Sequence, residues 1–351
     1  MTLTTTLDTP LLADPADVAA DPSRYRVLTG DRPTGPLHLG HYFGTLLNRV
    51  RLQRQGVETF LVVADYQVIT DRLSPGEIAA NVREVVLDNL AAGIDPDRTT
   101  VFAHSAVPAL NQLMLPFLSL TTVAELQRNP TVKDEAAASG LASISGLLLT
   151  YPVHQAADIL FCHGNLVPVG DDQLPHVEQT RTIARRFNER YAGGRAVFRE
   201  PQALLSPAPR LLGVDGRKMS KSRGNAIALK ATADETARLI RRSVTDARRD
   251  ITYDPAGRPG VSSLVEIAAL CLGVAPDEVA AQVGSGGSAM LKALVTEVVN
   301  EELRPVRERR AAFAAEPGLV GSLLADGAER ATALAESTLA DVQDALGMGA
   351  Y

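Results

Sequence analysis

The sequence predicts an α/β protein with a parallel sheet in its first half and an α-helical C-terminal part, and three observations carry that prediction. Short apolar runs at Tyr25–Gly30, Glu58–Thr70 and Thr99–Ser105 alternate with helical patterns. The middle run, ETFLVVADYQVIT, opens almost wholly apolar, as expected of a strand covered on both faces. Beyond about Asn225, alanine-rich amphipathic stretches take over, broken by TYDPAGRPG and GSGGSA. Strand–helix–strand order with right-handed crossovers makes the first half a Rossmann-like catalytic domain. Residues 1–23 read as an N-terminal tail, 24–225 as that domain and 226–351 as a helical region, whose last helix is a candidate to pack back on the sheet.

In chain order, Tyr25–Gly30 is a buried strand ending in a glycine turn, and a helix is expected from Leu37 to about Gln55. The stretch SPGE offers Ser74 as cap, Pro75 next and Glu77 third, so a helix is expected from Ser74 to Ala92. Residues 136–149 are rich in small side chains and are expected to form a flexible loop. Asn165–Gln173 reads as a short strand running into a loop.

Bulk properties narrow the function. The 351 residues are 45% hydrophobic and 22% charged, ordinary values for a protein with a core. No apolar run approaches the roughly 18–20 residues that cross a bilayer, so no membrane association is expected. The N-terminus lacks a basic start before an apolar stretch, so no targeting leader is expected and a cytoplasmic location follows. Two cysteines, Cys162 and Cys271, far apart in sequence, imply neither a disulfide framework nor a cysteine zinc site. A net charge of −6 excludes a broadly basic surface, so any polynucleotide would meet a local patch. Arg241–Arg249 and Arg304–Arg310 are the candidates; each also reads as a solvated helix face.

The stretch RPTGPLHLGH puts His38 and His41 at the start of a helix behind a strand–glycine turn. Helix N-terminal amides at the C-terminal edge of a parallel sheet favour phosphate. Gly40 lets a flat ring approach the backbone. Two imidazoles there can donate hydrogen bonds to oxygens whose charge grows in a transition state. A metal pair would sit at i, i+4 or need a third ligand, and the sequence places none, so no protein metal site is expected. The stretch KMSKS sets Lys218 and Lys221 in a loop of small polar residues and glycines, apt to close over a triphosphate. Asp158 lies in an otherwise apolar segment, where a lone carboxylate is costly. Its partner is either a ligand N–H or an internal ion pair.

The combination of H-L-G-H and K-M-S-K-S resembles the class I aminoacyl-tRNA synthetases. From Arg26 onward the chain is similar to the bacterial tryptophanyl-tRNA synthetases. The resemblance implies ATP-dependent formation of an aminoacyl-adenylate, magnesium with the ATP, transfer to tRNA(Trp), an anticodon-binding helical region and a homodimer. It assigns His38, His41, Lys218, Lys221 and Lys133 (in NPTVK) to catalysis. It assigns Arg32, Pro33, Thr34, Gly40, His41, Gly170, Asp171, Asp172, Leu211, Lys218, Met219, Ser220, Lys221 and Ser222 to the nucleotide. Leu28, Tyr151, Gln155, Asp158 and Gln173 fall to tryptophan, with Asp158 accepting from the indole N–H. Asp65 is a candidate for the substrate ammonium or for a turn. The chain departs from the common bacterial pattern at Leu28 for Phe, Arg32 for Gln, Gln67 for His and Gln155 for Met. These departures bear on ligand tolerance. Two readings stand beside tryptophan activation: a tyrosyl-tRNA synthetase, since Asp158 can accept from a phenol, and a synthetase-like paralogue with a regulatory or partner-binding role.

Overall fold

The computed structural model describes residues 9–70, 74, 76–139, 143–206 and 211–349. The chain opens with helix α1 (Pro15–Ala20), started by Pro15 and capped by the Asp14 carboxylate. Strand β1 (Arg26–Asp31) then leads into α2 (Leu39–His41), a π-helical turn (Tyr42–Leu46) and α3 (Leu47–Gln55). Next come β2 (Glu58–Val63), α4 (Ile78–Ala92) and β3 (Thr99–Ala103). Helices α5 (Ala109–Leu118), α6 (Val123–Arg128), α7 (Pro130–Ser139) and α8 (Gly146–Phe161) follow, then β4 (Leu166–Val169), α9 (Leu174–Arg190) and β5 (Gln202–Leu205). The rest is helical: α10 (Ala233–Arg241), α11 (Pro259–Leu272), α12 (Pro276–Val283), α13 (Gly287–Ala315) and α14 (Leu319–Ala345).

All strand pairs are parallel and the order is β3-β2-β1-β4-β5. The chain winds outward one way from β1 through β2 to β3, then crosses to β4 and β5 on the other side. The strand order therefore reverses between β1 and β4, and the crevice beyond their C-terminal ends is where open α/β sheets bind ligands. Strand β1 lies close against β2 because Gly30 has no side chain: a Cβ there would stand 2.5 Å from Val62 Cγ1 and 2.7 Å from its carbonyl oxygen.

The helical half is not a separate globule. One apolar cluster joins Leu37, Leu39 and Val85 from the first half to Leu264, Val295 and Leu303 from the second. Helix α14 packs against β3, the sheet's edge. A Cβ on Gly327 would lie 1.8 Å from the Val101 carbonyl oxygen, so glycine lets the helix backbone touch the strand. Covering an edge this way hides a row of backbone groups from other chains.

Three local expectations need correction. The helix after HLGH is interrupted by the π turn, in which the Thr45 hydroxyl donates to the His41 carbonyl at 2.9 Å. Helix α4 starts at Ile78 after Glu77, with no side-chain cap, rather than at a Ser74 cap; Pro75 lies outside the described residues. Residues 136–139 and 146–149 are helical, because small residues such as alanine favour helix as readily as loop. Residues 140–142 of that stretch lie outside the described residues. Within the stretch read as an N-terminal tail, Ala13 N–H donates to the Ala203 carbonyl, and Ala203 N–H to that of Leu11, at 2.9 and 2.7 Å.

Candidate active site

Two clefts open at the reversal point, and Asp31 and Arg32 line both. The first, about 590 Å³, is lined by Asp31, Arg32, Thr34, His38, His41, Lys218, Met219, Ser220, Lys221 and Arg223. His38 caps α2: its Nδ1 accepts the Gly40 N–H at 3.1 Å. The His38 N–H in turn donates to His41 Nδ1 at 3.3 Å, and the rings lie 3.9 Å apart. Burial pushes the His38 pKa down to about 2, helped by the His41 and Lys221 charges. Burial also takes His41 down to about 4, with Asp31 opposing and Lys221 adding to the fall. Both rings are therefore neutral at pH 7. Because each Nδ1 accepts, each proton sits on Nε2, and each ring keeps one N–H to donate.

The lysine loop faces this pair. Lys221 Nζ donates to the Gly35 carbonyl at 2.8 Å, and Lys218 Nζ stands 3.9 Å from Asp172. Asn225 holds the loop: its Oδ1 accepts from Ser220 N–H at 2.8 Å, and its Nδ2 donates to Asp215 and to the Lys218 carbonyl at 2.7 and 3.1 Å. Gly213 makes room for it, since a Cβ there would be 2.4 Å from the Asn225 amide carbon. The loop thus has a fixed root and cationic tips.

The second cleft, about 300 Å³, includes Leu28, Arg49, Gln67, Glu135, Tyr151, Gln155, Asp158, Ile159, Val167 and Gln173 in its lining. Its walls come from β1, β4 and α8. Arg49 on α3 reaches under β1, donating to Thr29, Gly30 and Asp31. Asn89 also donates to Asp31, at 3.0 Å. Burial alone would raise the Asp31 pKa, but Arg49 outweighs it and holds the carboxyl down at about 2. The Tyr151 hydroxyl meets His176 Nε2 at 3.0 Å. Asp158 Oδ1 stands 2.7 Å from His104 Nε2, so the internal partner weighed from the sequence is present. Asp65 caps its own turn, accepting from the backbone of Tyr66 and Ser105 at 3.0 and 2.9 Å, which is the turn role.

The site residues expected from the sequence divide as follows. All five assigned to the amino acid line the second cleft. Of those assigned to the nucleotide, Arg32, Thr34, His41, Lys218, Met219, Ser220 and Lys221 line the first. Gly170 lines the second instead. Pro33 and Leu211 are buried, Leu211 accepting the Met219 N–H at 3.2 Å. Gly40 lies in α2, Asp171 and Asp172 are exposed in the turn after β4, and the Ser222 side chain is outside the description. Lys133 is exposed on α7 and lines neither cleft. That helix is nonetheless tied to the site through Thr131, which donates to the Asp172 carbonyl at 3.1 Å, and through Glu135, 3.8 Å from Arg32. Sequence reasoning missed Asp31, Arg49 and His104. Arg49 sits among alternating arginines in NRVRLQR, where nothing distinguishes a buried guanidinium from a solvated one.

The sequence profile described as "tRNA synthetases class I (W and Y)" matches residues 21–304. A tryptophan–tRNA ligase of Treponema pallidum is 42% identical over 332 residues, covering 93% of this chain and 97% of that protein. The crystal structure of tryptophanyl-tRNA synthetase from Mycoplasma pneumoniae superposes with a TM-score of 0.80 at 28% identity, covering 93% of this chain and 98% of that one. That of the Campylobacter jejuni enzyme, complexed with ADP and tryptophan, gives 0.77 at 29% identity, covering 92% and 100%. By that profile match and that relative, the chain belongs to the class I tRNA synthetases of the tryptophan and tyrosine type.

Proposed function

We propose that this chain ligates tryptophan to tRNA(Trp), through a tryptophanyl-adenylate made from ATP. The observation that carries the reading is the placement of two clefts side by side at the strand reversal, sharing Asp31 and Arg32. One is cationic and fronted by imidazole donors; the other is apolar-walled with the Asp158 carboxylate at its side. A carboxylate bound in the second can meet the α-phosphate of a nucleotide bound in the first. Support comes from the relative in Treponema pallidum and from the Campylobacter jejuni neighbour, whose ligands are ADP and tryptophan.

In the reaction, a tryptophan carboxylate oxygen bonds to the α-phosphorus, the bond to the bridging oxygen breaks, and pyrophosphate leaves. No covalent enzyme intermediate is needed, so positioning and electrostatics carry the rate. His38 and His41 act as neutral Nε2–H donors to the phosphates rather than as cations. Lys218 and Lys221 supply the positive charge that follows the departing pyrophosphate, with Lys133 joining from α7 if the loop and helix close on the nucleotide. Leu28, Tyr151, Gln155 and Gln173 frame the side chain and ammonium, and Asp158 accepts from the indole N–H. Magnesium, when bound, would offset charge on the ATP phosphates. Asp31, the carboxylate lining the nucleotide cleft, is already taken by Arg49 and Asn89 and offers little to an ion. Residues 24–225 are the catalytic unit, and the helices beyond receive the anticodon end of the tRNA. The working form is a cytoplasmic homodimer; among the described residues no helix is long and apolar enough to cross a membrane.

The test is pyrophosphate exchange with tryptophan and with tyrosine, followed by aminoacylation of a total tRNA pool. Tryptophan-dependent exchange and charging are expected. Tyrosine-dependent exchange would move the reading to the sister specificity, and no exchange with either would favour a regulatory paralogue.

A further inference from the structure

Behind the amino-acid cleft, Asp158 is joined by two buried histidines that the adenylation steps leave unused. His104, just after β3, and His154, on α8, stack with ring centroids 4.0 Å apart and planes 21° apart. Both rings and Asp158 are buried, His104 completely. His104 Nδ1 and Nε2, His154 Nε2 and Asp158 Oδ1 have no aligned hydrogen-bond partner among the described residues, although His104 Nε2 and Asp158 Oδ1 are only 2.7 Å apart. Ring nitrogens left over beside a buried carboxylate are a costly arrangement for a core, and cost of this kind concentrates at functional sites. A metal ion is one candidate, since the three side chains offer donor atoms within 4.8 Å of one another. The stacking argues against it. Near-parallel rings cannot both aim an in-plane lone pair at a single ion.

The geometry points instead to selection of the substrate: we propose that His104 is a positioning residue for tryptophan recognition, holding Asp158 by one oxygen so that the other faces the indole N–H. This rests on the assignment of Asp158 to the indole. His154 backs the His104 ring and is itself held by Gln67, whose Nε2 lies 3.3 Å from His154 Nδ1. The chain runs Gln67, His154, His104, Asp158, substrate. Gln67 and Asp158 both line the cleft, so the two ends of this chain face the same ligand. Without His104, the carboxylate is free to rotate toward Gln155 or solvent, and its acceptor geometry is lost. Selectivity for the ring N–H should suffer, while groups acting on the phosphates, on the far side of Asp31, should not.

The experiment measures KM and kcat in pyrophosphate exchange for tryptophan and for its benzothiophene analogue, which lacks the ring N–H. His104→Ala should raise the KM for tryptophan about tenfold, leave kcat within a few-fold, and shrink the preference for tryptophan by a similar factor. His104→Gln, whose amide N–H reaches the place of Nε2, should restore most of that preference, and His104→Asn, reaching only Nδ1, should not. If the alanine variant does not fold, the comparison of Gln with Asn decides alone, and equal behaviour of the two overturns the proposal. Asp158→Ala separates the two layers of the argument. If it keeps the preference, the assignment of Asp158 itself fails; if it loses the preference while His104→Ala keeps it, only the role of His104 fails. A stoichiometric transition metal in the purified protein, lost on His104→Ala, would overturn positioning in favour of metal binding.

Discussion

Arg310, on α13, and Asp88, on α4, meet where the helical half joins the sheet: Nε lies 2.7 Å from Oδ1, and Asp88 is completely buried. The other carboxylate oxygen accepts the Leu37 N–H at 2.6 Å, one residue before His38. A guanidinium of the C-terminal helices and the backbone just before His38 therefore share one carboxylate. Burial raises the Asp88 pKa even against these bonds, which marks how much the site depends on them.

Asp88→Ala should accordingly cost stability well beyond that of an ordinary surface change. It strands the Leu37 N–H and removes one of two carboxylates from Arg310, which keeps Glu84 at 2.7 Å. Breaking a buried pair from one side typically costs about 3–5 kcal/mol, and the remaining Glu84 contact sets the lower end. Asp88→Asn, which keeps an acceptor for Leu37, should lose less. Urea unfolding midpoints check this, and an alanine variant as stable as the unaltered chain would refute the link.

The lysine loop leads to a kinetic prediction. Lys221 rests on the Gly35 carbonyl and Lys218 near Asp172, so neither contacts the amino-acid cleft. Lys218→Ala and Lys221→Ala should each slow adenylate formation by about 10²–10³, the usual loss of one donor to developing charge, with tryptophan affinity nearly unchanged. Single-turnover rates beside equilibrium tryptophan binding provide the comparison. Parallel losses in both would contradict the assignment.

How much of this was legible in the sequence depends on the kind of signal. Strands β1 to β4 were legible because a strand buried on both faces reads as an apolar block, and the ends of β2 and β3 differ from expectation by where the apolar block meets a polar turn. Strand β5, QALL, was not, being four residues long at an edge. The motif residues were found because glycines and repeated histidines or lysines are rare in such spacing. Arg49 and His104 were not, because burial of a charged or polar side chain is decided by partners distant in sequence. Arg49 needs Asp31 and Asn89; His104 needs Asp158.

The same blindness affected the basic segments. In Arg304–Arg310, the arginines that look free are mostly fastened inward. Arg307 donates to Asn300 and Thr236, Arg309 to the Ala91 carbonyl, and Arg310 to Asp88 and Glu84. Arg304 is exposed but flanked by Glu301 and Glu308. Arg241, Arg242 and Arg249, by contrast, are exposed. Arg241→Ala with Arg242→Ala should therefore raise the KM for tRNA several-fold and lessen its salt dependence, with pyrophosphate exchange unchanged. Arg309→Ala and Arg310→Ala should lower thermal stability instead. The reverse pattern would return tRNA contact to the Arg304–Arg310 segment.

Acid should weaken the fold over a definite range. Of six histidines, burial pushes five below their ordinary value: His38, His41, His154, His163 and His176, with His41 and His176 at about 4. Only His104, beside Asp158, is raised. A histidine held low in the folded state takes its proton first in the unfolded chain. Its contribution is therefore complete above pH 6.5 and falls away as pH drops toward about 4, at up to about 1.4 kcal/mol per pH unit for each group. His104 works in the opposite sense, its contribution being lost as pH rises. Five against one, stability should fall between pH 6.5 and 4.5. Urea midpoints across that range test it, and His41→Asn should flatten the slope; a midpoint independent of pH would remove the buried neutral histidines from the account.

The last prediction concerns the cleft that frames the amino acid. Leu28, Arg32, Gln67 and Gln155, the four positions that the family resemblance marks as departures, all line it. Leucine in place of phenylalanine takes away a flat wall, and glutamine in place of methionine brings an amide to the indole. Glutamine in place of histidine at residue 67 brings an amide that is occupied with His154 at 3.3 Å, so it faces the cleft as the far end of the chain through His154 and His104 to Asp158 and not as an independent contact. An indole-containing mimic that draws its affinity from a histidine and a methionine at these places should bind this protein weakly. Tryptophan, whose proposed anchors are Asp158, Tyr151 and Gln173, should be less affected. Inhibition constants for such a mimic, measured on this protein and on a Gln67→His, Gln155→Met double variant, test the difference. About a tenfold gain in the variant is expected, equivalent to roughly 1.4 kcal/mol. Constants agreeing within a few-fold would mean that Gln67 and Gln155 are neutral to the choice between such a mimic and tryptophan.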